Sequence, residues 1–311
     1  MGGVLWASIL LLLLTALVAV ILARRGPFRR MGVEASLLTS AASVSARIRL
    51  RNVVAFFAAI AVAALLIGYA FTNPADLGRT VLIAPLVTAA VGIGFFVIVP
   101  AFPDPSDRRS AELLPRTAFT FASRWAFVFA GSLALAVVAA CIAFGLVSEP
   151  DGRSFGNDYG QLAYGFTATP FPGFYYGVPV LGALVLLAAT AVVAILRVSS
   201  ARMPGDESLR EADAAIRQLA IGVILRSVAA GCAVTVGAML VAAAGATSSV
   251  NGGIQEEGVG GPTLVPDPFL QVLVVVEILL AVVLIVGGCV FAIGAITNAL
   301  RKPLGLTAVP A

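Results

Sequence analysis

Seven stretches of this chain are each long and apolar enough to cross a lipid bilayer, and no other feature constrains its fold so strongly. A helix rising 1.5 Å per residue needs about 20 apolar residues to span roughly 30 Å of hydrocarbon. Stretches 3–23, 53–71, 81–100, 125–147, 177–196, 227–246 and 269–296 meet that need. Inside hydrocarbon every backbone N–H and C=O must find a partner within the protein, so such stretches are expected to be helices. The expected fold is all-α: one polytopic transmembrane domain of about seven helices. Only 12% of the 311 residues are charged, against about a quarter in soluble domains. That leaves no length for a large soluble domain.

The charges between the stretches are sorted by side. Residues 24–52 hold seven arginines and one acid, residues 101–124 four arginines and three acids, and residues 197–226 five arginines and four acids. Arg301 and Lys302 follow the last stretch. The alternate links hold only Arg79 and Arg153, with seven acids. The positive-inside rule places the N-terminus outside and the C-terminus in the cytoplasm. Arg24 and Arg25 follow the first stretch and no charged region precedes it, the reverse of a cleaved signal. It is read as an uncleaved anchor. Arginine outnumbers lysine 19 to 1, a coding bias that suggests a bacterial cytoplasmic membrane.

The same residues exclude several kinds of chemistry. The chain has no histidine, which removes bis-His haem, His-ligated zinc, a Ser-His-Asp triad and a histidine pH switch. Its single lysine, Lys302, lies beyond the last stretch, so no helix offers a Schiff-base lysine. Cys141, Cys232 and Cys289 each lie alone in apolar runs and are read as core residues. No phosphate-cradling loop, metal cluster or nucleophile–base set is present. The expectation is no cofactor, no metal and no enzyme activity, with an interfacial lipid enzyme using Asp and Arg as the exception. Nucleic acid is not an expected partner, because insertion polarity accounts for the positive charge.

After the first stretch the chain reads as three hairpins, with Arg51, Arg124 and Arg226 near the inner ends of their entering helices. Gly131 and Gly231 fall at similar depth in the second and third, which makes a weak parallel repeat. Two inner segments have helical character. Over 33–50, Val33, Leu37, Ala41, Val44 and Ile48 recur at helical spacing, as in an amphipathic helix lying on the inner leaflet. Over 208–219, Ser208 and Glu211 form a capping box, and Asp213 and Arg217 stand i,i+4. This second helix is expected to run into the sixth span. Arg116, Glu211, Asp213 and Arg217 are candidates for docking a cytoplasmic ATPase or other membrane subunits. The alternative is a lipid-solvated surface.

The outer link 148–176 gathers four of the five tyrosines. Tyr159, Tyr164, Phe166, Tyr175 and Tyr176 form either an interfacial aromatic belt or a cap over a ligand site between helices. Glu277 is the single acid well inside a stretch, nine residues past Pro268. Such a carboxyl faces the bundle and either binds a proton or cationic ligand or hydrogen-bonds a hydroxyl such as Thr88, Thr235 or Tyr69. Together these features favour a membrane component of a transport or export system, a permease-like subunit or a small transporter. A non-transporting accessory subunit, scaffold or envelope sensor is the alternative.

Overall fold

The structure, a computed structural model, describes residues 29–34, 38–98, 118–157, 166–200, 207–252, 267–300 and 304–309. It contains six helices long and apolar enough to cross a membrane. They are α1 (Leu38–Thr72), α2 (Arg79–Ile98), α3 (Arg124–Val147), α4 (Phe174–Ser200), α5 (Glu207–Gly252) and α6 (Pro268–Leu300). The first apolar stretch, 3–23, lies outside the described residues.

α5 is the hub of the bundle, with α2, α3, α4 and α6 all packed against it. Most residues of its most apolar stretch are buried in the bundle, whereas at most about a third are in any other span. The cause is in its composition. Ser227–Ala246 is rich in Ala and Gly, which let neighbouring backbones approach closely, and close packing is what holds helices together in lipid. α5 is the least hydrophobic of the six spans and α6 the most. The helix that meets least lipid needs the least apolar surface. Leu86 and Ile93 of α2, Val137 and Cys141 of α3, Val180 and Leu187 of α4, and Ile224 and Met239 of α5 form the main core.

The first inner segment differs from the expected surface helix. Val33 and Glu34 end a strand, β1 (Arg29–Glu34), and the helix begins at Leu38. From there it runs into the span without a break, because no Gly or Pro interrupts residues 38–67. Ile48 is fully buried in the bundle instead of facing lipid headgroups. The segment over 208–219 is likewise the first part of α5, continuous with its span.

Two short ribbons depart from an all-α fold. β1 pairs in parallel with β4 (Leu304–Val309), from Arg29 opposite Leu304 to Glu34 opposite Val309. β2 (Phe155–Asn157) pairs antiparallel with β3 (Phe166–Ala168) at the opposite end of the bundle. There Leu77 and Gly78, both at positive φ, reverse the chain between α1 and α2. Asp76 fixes the start of α2 by accepting from the Thr80 amide at 2.8 Å and the Thr80 hydroxyl at 2.9 Å.

The threefold pattern does not extend to equivalent environments. Arg51 is buried, while Arg124 and Arg226 are exposed. Gly131 faces open space, but a Cβ on Gly231 would lie 3.2 Å from the Pro85 carbonyl oxygen.

Candidate functional site

Glu277 lies on the face of α6 that carries Leu270, Ala281, Gly288 and Ala295, all buried. This face meets α5 in antiparallel register. Asn251 and Asp267 clamp one end: the Asp267 amide donates to Asn251 Oδ1 at 2.7 Å, and Asn251 Nδ2 donates to the Asp267 carbonyl at 3.2 Å. Further along, Gly237 abuts Ala281 and Ile285, and Gly288 abuts Val234 and Ala230. Glu277 falls between the clamp and the first glycine contact, about 15 Å from Asp267 along the axis.

Glu277 is 7% exposed, and its Oε2 is buried with no hydrogen-bond partner among the described residues. The hydroxyls nominated from sequence do not bond to it. Thr235 Oγ1 donates to the Leu82 carbonyl at 3.5 Å, and the Tyr69 hydroxyl accepts from Asn73 Nδ2 at 2.8 Å. Thr88 Oγ1 is itself buried, with no partner among the described residues.

At the arginine-rich end, polar side chains close the last turns of three helices. Arg197 Nη1 donates to the Val97 carbonyl of α2 at 3.1 Å. Arg217 Nη1 donates to the Val198 and Ser199 carbonyls of α4 at 2.8 and 3.2 Å. Asn52 Nδ2 donates to the Ala299 carbonyl of α6 at 2.7 Å. The final carbonyls of a helix lack intrahelical donors and carry its negative dipole end, so cationic and amide donors are favoured there. Arg51 holds Asn52 in place through Nε to Oδ1 at 3.1 Å and lies 4.2 Å over the Phe96 ring.

The candidate docking residues divide accordingly. Arg217 and Asp213 form a buried ion pair at 2.7 Å, 3% and 0% exposed. Both charges point into the bundle, so they brace α5 against α4 and present no docking surface. Glu211 belongs to α5, but its side chain is outside the described residues, as is the whole of Arg116. The i,i+4 spacing had shown the Asp213–Arg217 pair. Its carbonyl partners come from the preceding helix and had no signal in local sequence.

At the other end the aromatic residues also divide. Tyr176 is buried, and its hydroxyl donates to the Leu77 carbonyl at 3.1 Å, tying α4 to the α1–α2 turn. It belongs to the core and to neither the belt nor the cap. Tyr175 is half-buried, with the Arg79 guanidinium 5.2 Å from its ring centre. Phe166 contributes backbone to β3, while Tyr159 and Tyr164 lie outside the described residues. Phe171, one of the aromatics of this link but not a cap candidate from sequence, is buried between Phe144 and Phe155 at ring separations of 5.6 and 5.2 Å. With Ala243 and Ala246 it packs the β2–β3 hairpin onto α5.

Asp151 organises the turn below that hairpin. Its carboxylate accepts from the Ser154 hydroxyl, from the Arg153 and Ser154 amides at 3.0 Å each, and from Arg153 Nε at 3.3 Å. These donors, the Ser154 hydroxyl first, lower its pKa from 3.8 to about 2.

A bundle of apolar helices around one buried Ala/Gly-rich helix defines a multi-pass helical membrane protein. The chain matches no protein-family profile, no curated protein and no solved structure.

Proposed function

We propose that this protein is a membrane component of a transport or export system, a permease-like subunit or small transporter, in which Glu277 binds a proton or a cationic ligand. The observation that carries the reading is the buried Glu277 oxygen, which has no donor among the described residues. Buried polar groups are nearly always hydrogen-bonded, and ionisable residues within spans concentrate on ion and substrate paths. A purely structural carboxyl at the α5–α6 interface would be expected to have a donor on both oxygens.

Dicyclohexylcarbodiimide, which modifies protonated carboxyls in apolar surroundings, tests this on the full chain in membrane vesicles. Modification of Glu277 is expected, falling as pH rises. In proteoliposomes carrying an imposed pH gradient, Glu277→Gln is expected to slow dissipation at least tenfold. An unreactive Glu277, together with a Gln variant that relaxes the gradient like the wild type, would overturn the proposal.

The accessory-subunit reading draws on a different observation, the closure of three helix ends by Arg197, Arg217 and Asn52. A bundle tied in this way suits a rigid scaffold. It predicts that Glu277→Gln leaves the gradient unchanged while Arg217→Ala disrupts assembly.

A further inference from the structure

Three segments that are far apart in the chain meet at the β2–β3 end of the bundle: the α1–α2 turn, the loop that follows α3, and the first turn of α4. The Tyr175 amide donates to the Gly152 carbonyl at 2.9 Å, and the Phe171 amide to the Arg153 carbonyl at 2.8 Å. From the other side the Leu77 carbonyl accepts from the Tyr176 hydroxyl. These bonds bring Arg79 and Arg153 to the surroundings of Tyr175. The Arg79 guanidinium lies 5.2 Å from the Tyr175 ring centre, and Arg153 directly follows the residue that holds the Tyr175 amide. The Tyr176 ring packs edge-on to Tyr175 at 5.0 Å, and its hydroxyl is within electrostatic range of both guanidinium groups. Arg79 and Arg153 are the only cations at this end among the described residues.

Neither guanidinium is consumed by its neighbouring acid. Arg79 Nε stands 3.9 Å from Asp76, both oxygens of which accept from Thr80. Arg153 Nε stands 3.3 Å from Asp151, which takes three further donors. Both arginine side chains are close to half exposed, and ion pairs so exposed are weak. Glu149, the remaining acid of the loop, lies against Gly156 on β2. Among the described residues the Nη nitrogens of Arg79 and Arg153 have no hydrogen-bond acceptor. That edge of a guanidinium is the one that grips phosphate oxygens in pairs.

An open apolar track leads away from the two arginines. Pro179 and Gly182 share the face of α4 that carries Tyr175, at helical spacing. Nothing lies within 4 Å of where a Gly182 Cβ would stand, and Val178 beside it is 64% exposed. The same face reaches α2 at Thr190, 4.0 Å from the place of a Gly94 Cβ.

We propose that Arg79, Arg153 and Tyr175 seat the phosphodiester of a membrane lipid, with one acyl chain lying along Pro179 and Gly182. The phosphate supplies acceptors to the two Nη edges. Both arginines stand at the ends of spans, the depth of lipid headgroups, where a tyrosine ring is also favoured. A free phosphate would use the same arginines but not the track. The site is separate from Glu277 and independent of what that residue binds.

Proteoliposomes of phosphatidylethanolamine and phosphatidylglycerol, with a trace of phosphatidylglycerol bearing a diazirine on one acyl chain, test the site on the full chain. After irradiation, mass spectrometry is expected to find residues 174–190 labelled, and their yield is read relative to that of α6. Arg79→Gln/Arg153→Gln is expected to lower this ratio about fivefold or more. Gly182→Leu, which fills the track from an open position, is expected to lower it as well. Arg124→Gln, at the other end of the bundle, and excess inorganic phosphate are both expected to leave it unchanged. An undiminished ratio in the double variant or in Gly182→Leu would overturn the proposal. So would an equal fall in Arg124→Gln, or loss of the label to inorganic phosphate, which would make the site one for a free anion.

Discussion

Arg217 performs two tasks that need a guanidinium. Nε pairs with Asp213 while Nη1 closes the end of α4 through two carbonyls. Removing one member of a buried ion pair costs about 3–5 kcal/mol, because the other charge stays in a low-dielectric site. Arg217→Ala is therefore expected to lower the melting temperature sharply in detergent. Arg217→Lys should recover only part of the loss, since an ammonium cannot reproduce the planar fork. Tyr176→Phe removes a single bond to the Leu77 carbonyl, and about 0.5–1.5 kcal/mol is the corresponding cost. Asp151 gives a pH dependence of known sign. Its folded pKa is depressed from 3.8 to about 2. The order it confers on residues 149–155 is complete above about pH 4 and is lost as pH falls toward 2. Amide exchange of this segment, corrected for intrinsic rates, should accelerate over that interval, and Asp151→Asn should remove the pH step. Local sequence shows residues of this kind unevenly. The Asp213–Arg217 spacing is visible along one helix. The partner carbonyls of Arg197, Arg217 and Asn52 are not, because tertiary packing delivers them from other helices.

The helices themselves were legible because apolar length is a property of each segment alone. Their partners were legible only in part. The low hydropathy and small residues of 227–246 distinguish the central helix from those facing lipid, and that signal can be read without coordinates. The two ribbons could not be read in this way. β1 and β4 are far apart in the chain and depend on each other for hydrogen bonds. Glu277 stood out as the one acid inside a predicted stretch, but that its Oε2 has no donor among the described residues became apparent only once α5 was set against it. Gly287 and Gly288 make the point for packing. They are adjacent in sequence, yet a Cβ on Gly287 meets nothing within 4 Å, while one on Gly288 lies 2.7 Å from Val234 Cγ2 and 3.2 Å from the Ala230 carbonyl. Gly288→Val is expected to destabilise the α5–α6 pair by about 1–3 kcal/mol through overpacking. Gly287→Ala should leave stability unchanged. Thermal unfolding in one detergent, followed by size-exclusion chromatography, separates the two.

The arrangement of the whole molecule puts Arg124 and Thr167 at opposite ends of the bundle, and both are exposed. The orientation expected from charge sorting would put the Arg124 end in the cytoplasm. A membrane-impermeant maleimide added to intact cells should therefore label Thr167→Cys and spare Arg124→Cys until the cells are opened. The reverse pattern would invert the topology. At this scale the length of α5 has a mechanical consequence. The helix is unbroken from Glu207 to Gly252, so about 50 Å of rod separates Asp213, braced against α4, from Ala246, under the β2–β3 hairpin. It acts as a lever without a joint. A tilt of about 5° that begins beneath the hairpin displaces the opposite end by about 4 Å, more than a hydrogen bond can stretch. Movement at one face of the membrane must then either break the Arg217 contacts at the other or be resisted by them.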